Sequence, residues 1–166
     1  MLPSDSSPQH QPNPKLVATA YHEAGHAVIA LTLGRAVERV TIVPNQGYLG
    51  ACHMQKTRVK PTKDWLEDEI LILLAGMVAE SRVTGQYSAG ASQDLRGVRR
   101  LALMRADGQK QVERLERRLL DKTEYLVNDD VHWTAIQTIA RELLLHQTIS
   151  GRAARHHFDQ VFKSAE

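Results

Sequence analysis

Two histidines, His22 and His26, lie on an otherwise apolar stripe that follows the period of an α-helix. The stripe consists of Ala18, His22, Gly25, His26, Ile29 and Leu33. This spacing predicts a helix over residues 15–33, which Gly34 would end. Burying two imidazoles on an apolar face costs free energy unless each finds a hydrogen-bond partner or a metal ion. Any fold built on this helix must therefore provide polar partners, or an ion, inside its core.

Most of the remaining sequence has apolar residues at helical spacing, with one β-rich interval. Strands are predicted over residues 37–43 and 48–55, joined by a turn as a hairpin. Further helices are predicted over residues 63–84, 94–106, 109–126, 130–146 and 150–162, with Thr62 and Ser92 as candidate N-caps. The sequence thus predicts a mainly α fold (α+β) with a small β-sheet or hairpin near the N-terminal third.

The first residues differ in composition from the rest of the chain. Residues 1–14 contain four prolines and three serines and few apolar side chains, which cannot offset the entropy lost on ordering. They are predicted to be a disordered leader, with Pro14 near the start of the first helix. Residues 15–166 are predicted to form one domain, as expected for a chain of 166 residues.

The run His22-Glu23-Ala24-Gly25-His26 is an H-E-x-x-H motif inside the first predicted helix. Histidines four residues apart project from the same helix face, so both imidazoles can bind one metal ion. Glu23 lies about 100° further round the helix than His22, where its carboxylate could act as a base on a water molecule. A pair of core histidines bonded to backbone atoms is the alternative that the motif leaves open.

A catalytic zinc site needs a third protein ligand and a position left open for water. The metzincin class would have glycine and histidine seven and ten residues after the first histidine, but Ile29 and Thr32 stand there. The third ligand must therefore come from further along the chain. Glu80, late in the second predicted helix, and Asp94, at the start of the next, are the candidates.

Three stretches of sequence form a longer pattern. Residues 21–28 read YHEAGHAV, residues 40–44 read VTIVP, and residues 74–80 read LAGMVAE, followed by GASQDL at residues 90–95. In this order they resemble the peptidase domain of the FtsH family of ATP-dependent zinc metalloproteases. The resemblance extends over most of the chain outside the leader and implies a helical FtsH-type peptidase domain.

The resemblance also implies roles for individual residues. His22, His26 and Asp94 would bind one Zn2+ per chain, because the family's third ligand is the aspartate of its G-A-S-x-D element. Glu23 would be the catalytic base. Glu80 matches a family glutamate near the site and is expected to orient a ligand imidazole. Glu80 as the third ligand itself is the lesser alternative.

The implied function is that of a zinc metalloendopeptidase, which hydrolyses peptide bonds in peptides or unfolded proteins. The strand near Tyr48, Leu49 and Gly50 is expected to bind an extended peptide substrate through main-chain hydrogen bonds. The alternative is a catalytically silent, zinc-stabilised module that acts as an adaptor or assembly partner. The intact Glu23 favours the peptidase, because a purely structural site needs no base there.

Composition narrows the expected partners and location. The chain has 21 Lys and Arg residues and 19 Asp and Glu residues, which gives a net charge of +2. This nearly balanced charge does not indicate a nucleic-acid partner, and none is expected. No apolar run is long enough to cross a bilayer, so no membrane insertion is expected. The single cysteine, Cys52, excludes an intrachain disulfide and favours a reducing, cytoplasmic location.

The chain has no G-x-x-x-x-G-K-[ST] loop, so no ATPase of its own is expected. Members of the FtsH family carry transmembrane helices and an ATPase module ahead of the peptidase domain, and they form hexameric rings. The resemblance therefore implies a homo-oligomer, a hexamer by analogy, and a separate ATPase as a candidate partner.

Overall fold

The computed structural model describes residues 11–56, 64–88 and 91–166. Within these ranges the chain forms six helices and three strands. In chain order they are α1 (Pro14–Thr32), β1 (Val37–Thr41), β2 (Ala51–Met54), α2 (Trp65–Thr84), α3 (Ser92–Arg105), α4 (Gln109–Asn128), α5 (Asp130–His146), β3 (Thr148–Ser150) and α6 (Gly151–Ser164). The predicted mainly α fold with a small sheet is confirmed. None of the helices in these ranges has both the length and the apolar character that crossing a bilayer requires.

Helix α1 begins at Pro14, one residue before the predicted range, and packs against both α2 and α5. The side chain of Asn13 accepts a hydrogen bond from the backbone N–H of Lys15. Proline suits the first helical position because its missing N–H would have no partner there. Residues 23–31 are all buried, so the H-E-x-x-H motif leads directly into the core. Residues 1–10, most of the predicted leader, lie outside the described ranges.

Helices α1 and α2 approach each other closely at Gly25. A Cβ atom there would lie 2.6 Å from the carbonyl oxygen of Ala75 and 2.7 Å from the Cβ of Ala79. Glycine is therefore required for the contact, although it costs about 1 kcal/mol relative to alanine in a helix interior. The close approach brings α2 against the histidine-bearing face of α1.

The starts of α2 and α3 differ from the predicted ones. The N-cap of α2 is Asp64, whose side chain accepts a hydrogen bond from the backbone N–H of Glu67 at 3.1 Å. The predicted cap, Thr62, lies outside the described residues. The prediction that Ser92 caps α3 is wrong, because the helix extends further towards the N-terminus and Ser92 is its first residue. Among the described residues, no side chain caps α3.

The sheet has the strand order β2-β1-β3, and both pairings are antiparallel. Strands β1 and β2 form the predicted hairpin but are shorter than expected. Strand β3 is absent from the sequence prediction, which assigns Ser150 to the last helix. Ser150 instead ends β3 and caps α6, accepting a hydrogen bond from the backbone N–H of Ala153. The next residue, Gly151, lies so close to β1 that a Cβ atom would be 1.7 Å from the carbonyl oxygen of Val37.

The C-terminal helices pack through aliphatic residues at helical spacing. The largest fully buried residues of these helices are Leu119, Ile136, Ile139 and Leu143. Helix α3 contributes little to this core, since its buried residues are Val98 and Ala102. The attachment of α3 to the molecule therefore depends on more than apolar packing.

Candidate metal centre

The two histidines of α1 meet the aspartate in the first turn of α3. His22 Nε2 lies 3.0 Å from Asp94 Oδ2, and His26 Nε2 lies 3.3 Å from the same oxygen. The ligand atoms of the three side chains all lie within 4.8 Å of one another. In the described part of the chain, no other group of three histidine, cysteine or carboxylate side chains has this spacing. The structure thus brings together the three residues that the sequence analysis proposed as metal ligands.

Each imidazole is held from its other edge. His22 Nδ1 lies 2.8 Å from Glu80 Oε2. His26 Nδ1 lies 2.7 Å from the backbone carbonyl oxygen of Ile72. When the two Nδ1–H groups donate to these oxygens, both Nε2 lone pairs face Asp94 and the space beside it. Glu80 thus contacts His22 at the ring nitrogen opposite the one that lies next to Asp94.

Gly76 of α2 makes room for both rings. A Cβ atom at this position would lie 2.5 Å from His26 Nε2 and 2.8 Å from His22 Cδ2. Any larger residue would push the imidazoles away from the position in which their Nε2 atoms converge. Gly76, in the middle of an apolar helix, thus allows both imidazole rings to pack directly against α2.

The electrostatics of the cluster favour positive charge at its centre. Burial alone lowers the pKa of His22, but hydrogen bonds to Asp94 and Glu80 outweigh this and raise that pKa to about 10. Burial tends to raise the pKa of Asp94, but hydrogen bonds to His22 and His26 hold it well below its ordinary value of 3.8. A divalent cation could take the place of the proton that this arrangement stabilises.

Glu23 is buried beside the cluster, with 6% of its surface exposed. Burial raises the pKa of Glu23 above its ordinary value of 4.5, and the neighbouring His26 and His22 partly oppose the shift. A carboxylate with a raised pKa is a better proton acceptor near neutral pH than an ordinary one. Gly50 packs closely against Glu23, since a Cβ on Gly50 would lie 3.0 Å from Glu23 Cγ.

A cleft of about 510 Å3 opens over the cluster, between α1, β2, α2 and the start of α3. Tyr48, Leu49 and Gly50, the predicted substrate edge, line one wall of this cleft. They precede β2 instead of belonging to it, because pairing with β1 begins at Ala51. Cys52 also lines the cleft, where burial raises the pKa of its thiol and keeps it neutral.

Sequence reasoning did not identify Ile72, Gly76 and Arg96 as parts of the site. Ile72 contacts His26 through its backbone carbonyl oxygen and not through its side chain. Arg96, on α3, lines the cleft. Gly76 gave a signal that could have been used, because a glycine inside an apolar helix indicates a close approach by another group.

The donor set fits zinc. Two imidazole nitrogens and one carboxylate oxygen match the three-ligand sets of catalytic zinc sites. Partners on the second ring nitrogens, as at His22 and His26, are the usual support for such ligands. Because the cluster lines the cleft, solvent or a substrate can reach it. The residues His22, His26 and Asp94 could therefore hold Zn2+.

Comparison with known proteins gives consistent matches. The family model described as Peptidase family M41 matches residues 11–107. An ATP-dependent zinc metalloprotease FtsH from Protochlamydia amoebophila is 42% identical over 88 residues, covering 51% of this chain and 10% of that protein. A protein of the same name from Magnetococcus marinus is 44% identical over 89 residues, covering 51% of this chain and 13% of that protein. Another, from Acidimicrobium ferrooxidans, is 30% identical over 182 aligned positions, covering 86% of this chain and 28% of that protein.

The chain spans less than a third of the length of these relatives, so the likeness concerns a limited part of each. The family model covers more than half of this chain, and the match includes the candidate ligands His22, His26 and Asp94. The resemblance to an FtsH-type peptidase domain is thereby confirmed. This chain belongs to peptidase family M41.

Proposed function

We propose that this chain is a zinc metalloendopeptidase that hydrolyses peptide bonds in peptides or unfolded proteins. The observation that carries the proposal is the convergence of two histidine Nε2 atoms and one carboxylate oxygen on the wall of a cleft, with the buried Glu23 beside them. Metal-assisted hydrolysis requires this combination of an accessible ion site and a nearby base. Membership in a peptidase family supports the same reaction class.

In this proposal His22, His26 and Asp94 hold one Zn2+ per chain. When bound, zinc polarises the scissile carbonyl and lowers the pKa of water at its open position. Asp94 as the third ligand is supported by its Oδ2, which lies within 3.3 Å of both Nε2 atoms. Glu80 contacts the opposite ring edge of His22, which supports an orienting role over ligation.

Glu23 is the proposed catalytic base. Its carboxylate accepts a proton from the attacking water and then donates that proton to the nitrogen of the departing amine. The burial of Glu23 supports this role, because a raised pKa suits a group that must both accept and release a proton near neutral pH. Glu23 also lines the cleft, where a water molecule or a substrate can reach its carboxylate.

The outer edge of β2 is the proposed place for an extended substrate. Strand β2 is an edge strand of the described sheet, and Ala51, Cys52 and Met54 line the cleft. An extended peptide can add to such an edge through main-chain hydrogen bonds, which depend little on its side chains. The adjoining Tyr48 and Leu49 are exposed and offer apolar contacts at one end of the cleft.

The names of the relatives bear on the partners that we propose for this chain. Their names describe ATP-dependent enzymes, whereas no nucleotide-binding P-loop occurs in these 166 residues. We propose that the chain works in the cytoplasm as a homo-oligomer and that an ATPase delivers unfolded substrates to it. Measurement of the mass in solution and co-purification with an ATPase test these two parts.

Replacement of Glu23 tests the reaction. The variant Glu23→Gln should keep one zinc per chain but lose about 10²–10⁴-fold in the rate of cleavage of unfolded casein, because it removes the base and keeps the ligands. Zinc is measured by elemental analysis and cleavage by fluorescence. The control Glu38→Gln, on the exposed surface of β1, should behave as wild type.

The catalytically silent module remains the second candidate function. It predicts that wild type and Glu23→Gln bind zinc equally and are equally inert towards varied unfolded substrates. Inertness of the zinc-loaded wild type towards both casein and short peptides would therefore contradict the peptidase proposal and favour the adaptor.

A further inference from the structure

Part of the cleft wall is apolar, and Met54 of β2 and Ile72 and Leu73 of α2 belong to it. Helix α3 packs closely against Leu73, since a Cβ on Gly97 would lie 3.1 Å from Leu73 Cδ1. This contact places the preceding residue, Arg96, next to the part of α2 that lines the cleft.

Beside the residues of the candidate metal centre, two charged side chains line the cleft. Glu69 of α2 lines the cleft, but Arg35 forms an ion pair with it and neutralises its charge. Arg96 of α3 also lines the cleft, is exposed, and forms no ion pair with any described residue. Arg96 therefore contributes to the cleft a positive charge that is not paired with a described carboxylate.

A guanidinium in this position is suited to bind a carboxylate. Its planar array of donors matches the two oxygens of a carboxylate, and a partly enclosed cleft screens the pair less than open solvent does. In the proposed complex the outer edge of β2 fixes the backbone of an extended substrate. The side chains of that substrate then reach the wall of the cleft at fixed intervals.

We propose that Arg96 is a specificity-determining residue, which binds a carboxylate of the peptide substrate close to the cleaved bond. This inference rests on the proposed peptidase function. The carboxylate belongs either to an acidic side chain or to the C-terminus of a short peptide, and both present the same group to Arg96. Substrates with Asp or Glu, or a free C-terminus, at that position are cleaved in preference to neutral ones.

The test uses three kinds of peptide, all based on one neutral parent sequence, as substrates of the zinc-loaded protein. The parent has both ends blocked, the second kind is a series that carries Glu in place of Gln at one position after another, and the third has a free C-terminal carboxylate. Wild type should cleave at least one of the two carboxylate peptides with a kcat/KM about two- to fivefold higher, mainly through KM, as expected for a partly exposed ion pair. The second and third peptides distinguish the two sources of the carboxylate.

Variants assign the preference to Arg96. The preference should vanish in Arg96→Gln and reverse towards Lys-containing peptides in Arg96→Glu. Arg100 lies one turn further along the same exposed face of α3 and does not line the cleft. The control variant Arg100→Gln should therefore keep the wild-type preference. Equal kcat/KM for neutral and carboxylate peptides in wild type, or an unchanged preference in Arg96→Gln, would overturn the proposal.

Binding separates this inference from the peptidase proposal. If the wild type cleaves none of the peptides, their equilibrium binding to the zinc-loaded Glu23→Gln variant is measured by calorimetry. A two- to fivefold tighter binding of a carboxylate peptide that Arg96→Gln removes would support the role of Arg96 even where the reaction fails. Binding without any such preference would contradict it.

Discussion

At the scale of single residues, Glu80 is proposed to act on the metal only through His22, whose Nδ1 it contacts at 2.8 Å. We expect Glu80→Ala to weaken zinc binding by about 10–100-fold, because the imidazole loses the partner that orients it. Glu80→Gln, which keeps an oxygen acceptor, should retain part of the affinity. Competition with a coloured chelator measures both. Zinc affinity equal to wild type in Glu80→Ala would show that this contact does not matter.

Gly76 allows a second prediction at this scale. Gly76→Ala should reduce zinc affinity and lower the melting temperature, since the added methyl group would meet both imidazoles at 2.5–2.8 Å. Gly97→Ala is the matched control in another helix, because its methyl group would meet the flexible end of Leu73 at 3.1 Å. Thermal unfolding and metal titration of both variants provide the comparison. A Gly76→Ala protein as stable and as tightly zinc-binding as Gly97→Ala would contradict this account.

Much of the site could be anticipated from the sequence at this scale. The spacing of His22 and His26 brings them to one helix face. The sequence leaves Glu80 and Asp94 as candidates for the third ligand, and the resemblance of the motif around Asp94 favours the aspartate. The carbonyl oxygen of Ile72 could not be foreseen, because its role depends on how α1 crosses α2 and not on its residue type. Arg96 was missed for a similar reason, since only the fold shows that it borders the cleft.

At the scale of elements, Glu67 connects α2 to α4. Its carboxylate forms ion pairs with Lys122 and with Arg118, the latter at 3.3 Å. The hydrogen bond from Lys122 and these charges lower the pKa of Glu67 below its ordinary value of 4.5. A group whose pKa is lower in the folded state adds stability above its unfolded pKa and loses it as the pH falls through the folded one.

The stability difference between wild type and Glu67→Gln should therefore depend on pH. We expect a loss of up to about 1 kcal/mol at pH 7, since both basic partners are partly exposed, and a loss that shrinks from about pH 5 downwards. Denaturant unfolding at pH 7, 5 and 3 measures it. Glu38→Gln, a surface variant without an ion pair among the described residues, serves as control. A difference that is constant over this pH range would refute the assignment.

The elements themselves were predicted unevenly. Helices were found because their apolar residues recur at a clear period and their ends carry turn residues such as Gly34 and Gly85. Strand β3 was missed because it is three residues long, and only its pairing with β1 makes it a strand. Such short pairings are set by tertiary contacts, which local sequence does not record.

At the scale of the whole molecule, the proposed zinc would join α1 to α3. Helix α3 buries only two residues, Val98 and Ala102, so an ion shared with α1 should add to the stability of the entire fold. At a free zinc concentration of about a thousand times Kd, the gain is about 4 kcal/mol, or about 10 °C in the melting temperature. Scanning calorimetry with chelator and with added zinc measures the shift. His22→Ala should abolish it, and a melting temperature that ignores zinc would count against the site.

Strand β3 and helix α5 cover parts of the molecule that a shortened fragment of this protein would leave exposed. All three proposed ligands lie inside residues 11–107, the span that the family model matches. A fragment cut there would lack β3 and α5, so that β1 would have a bare edge and α1 an uncovered apolar side. We expect such a fragment to self-associate, because an unpaired strand edge and an exposed apolar helix face both favour aggregation. The portion of the polypeptide that supplies none of the chelating atoms is thus expected to keep the remainder from aggregating.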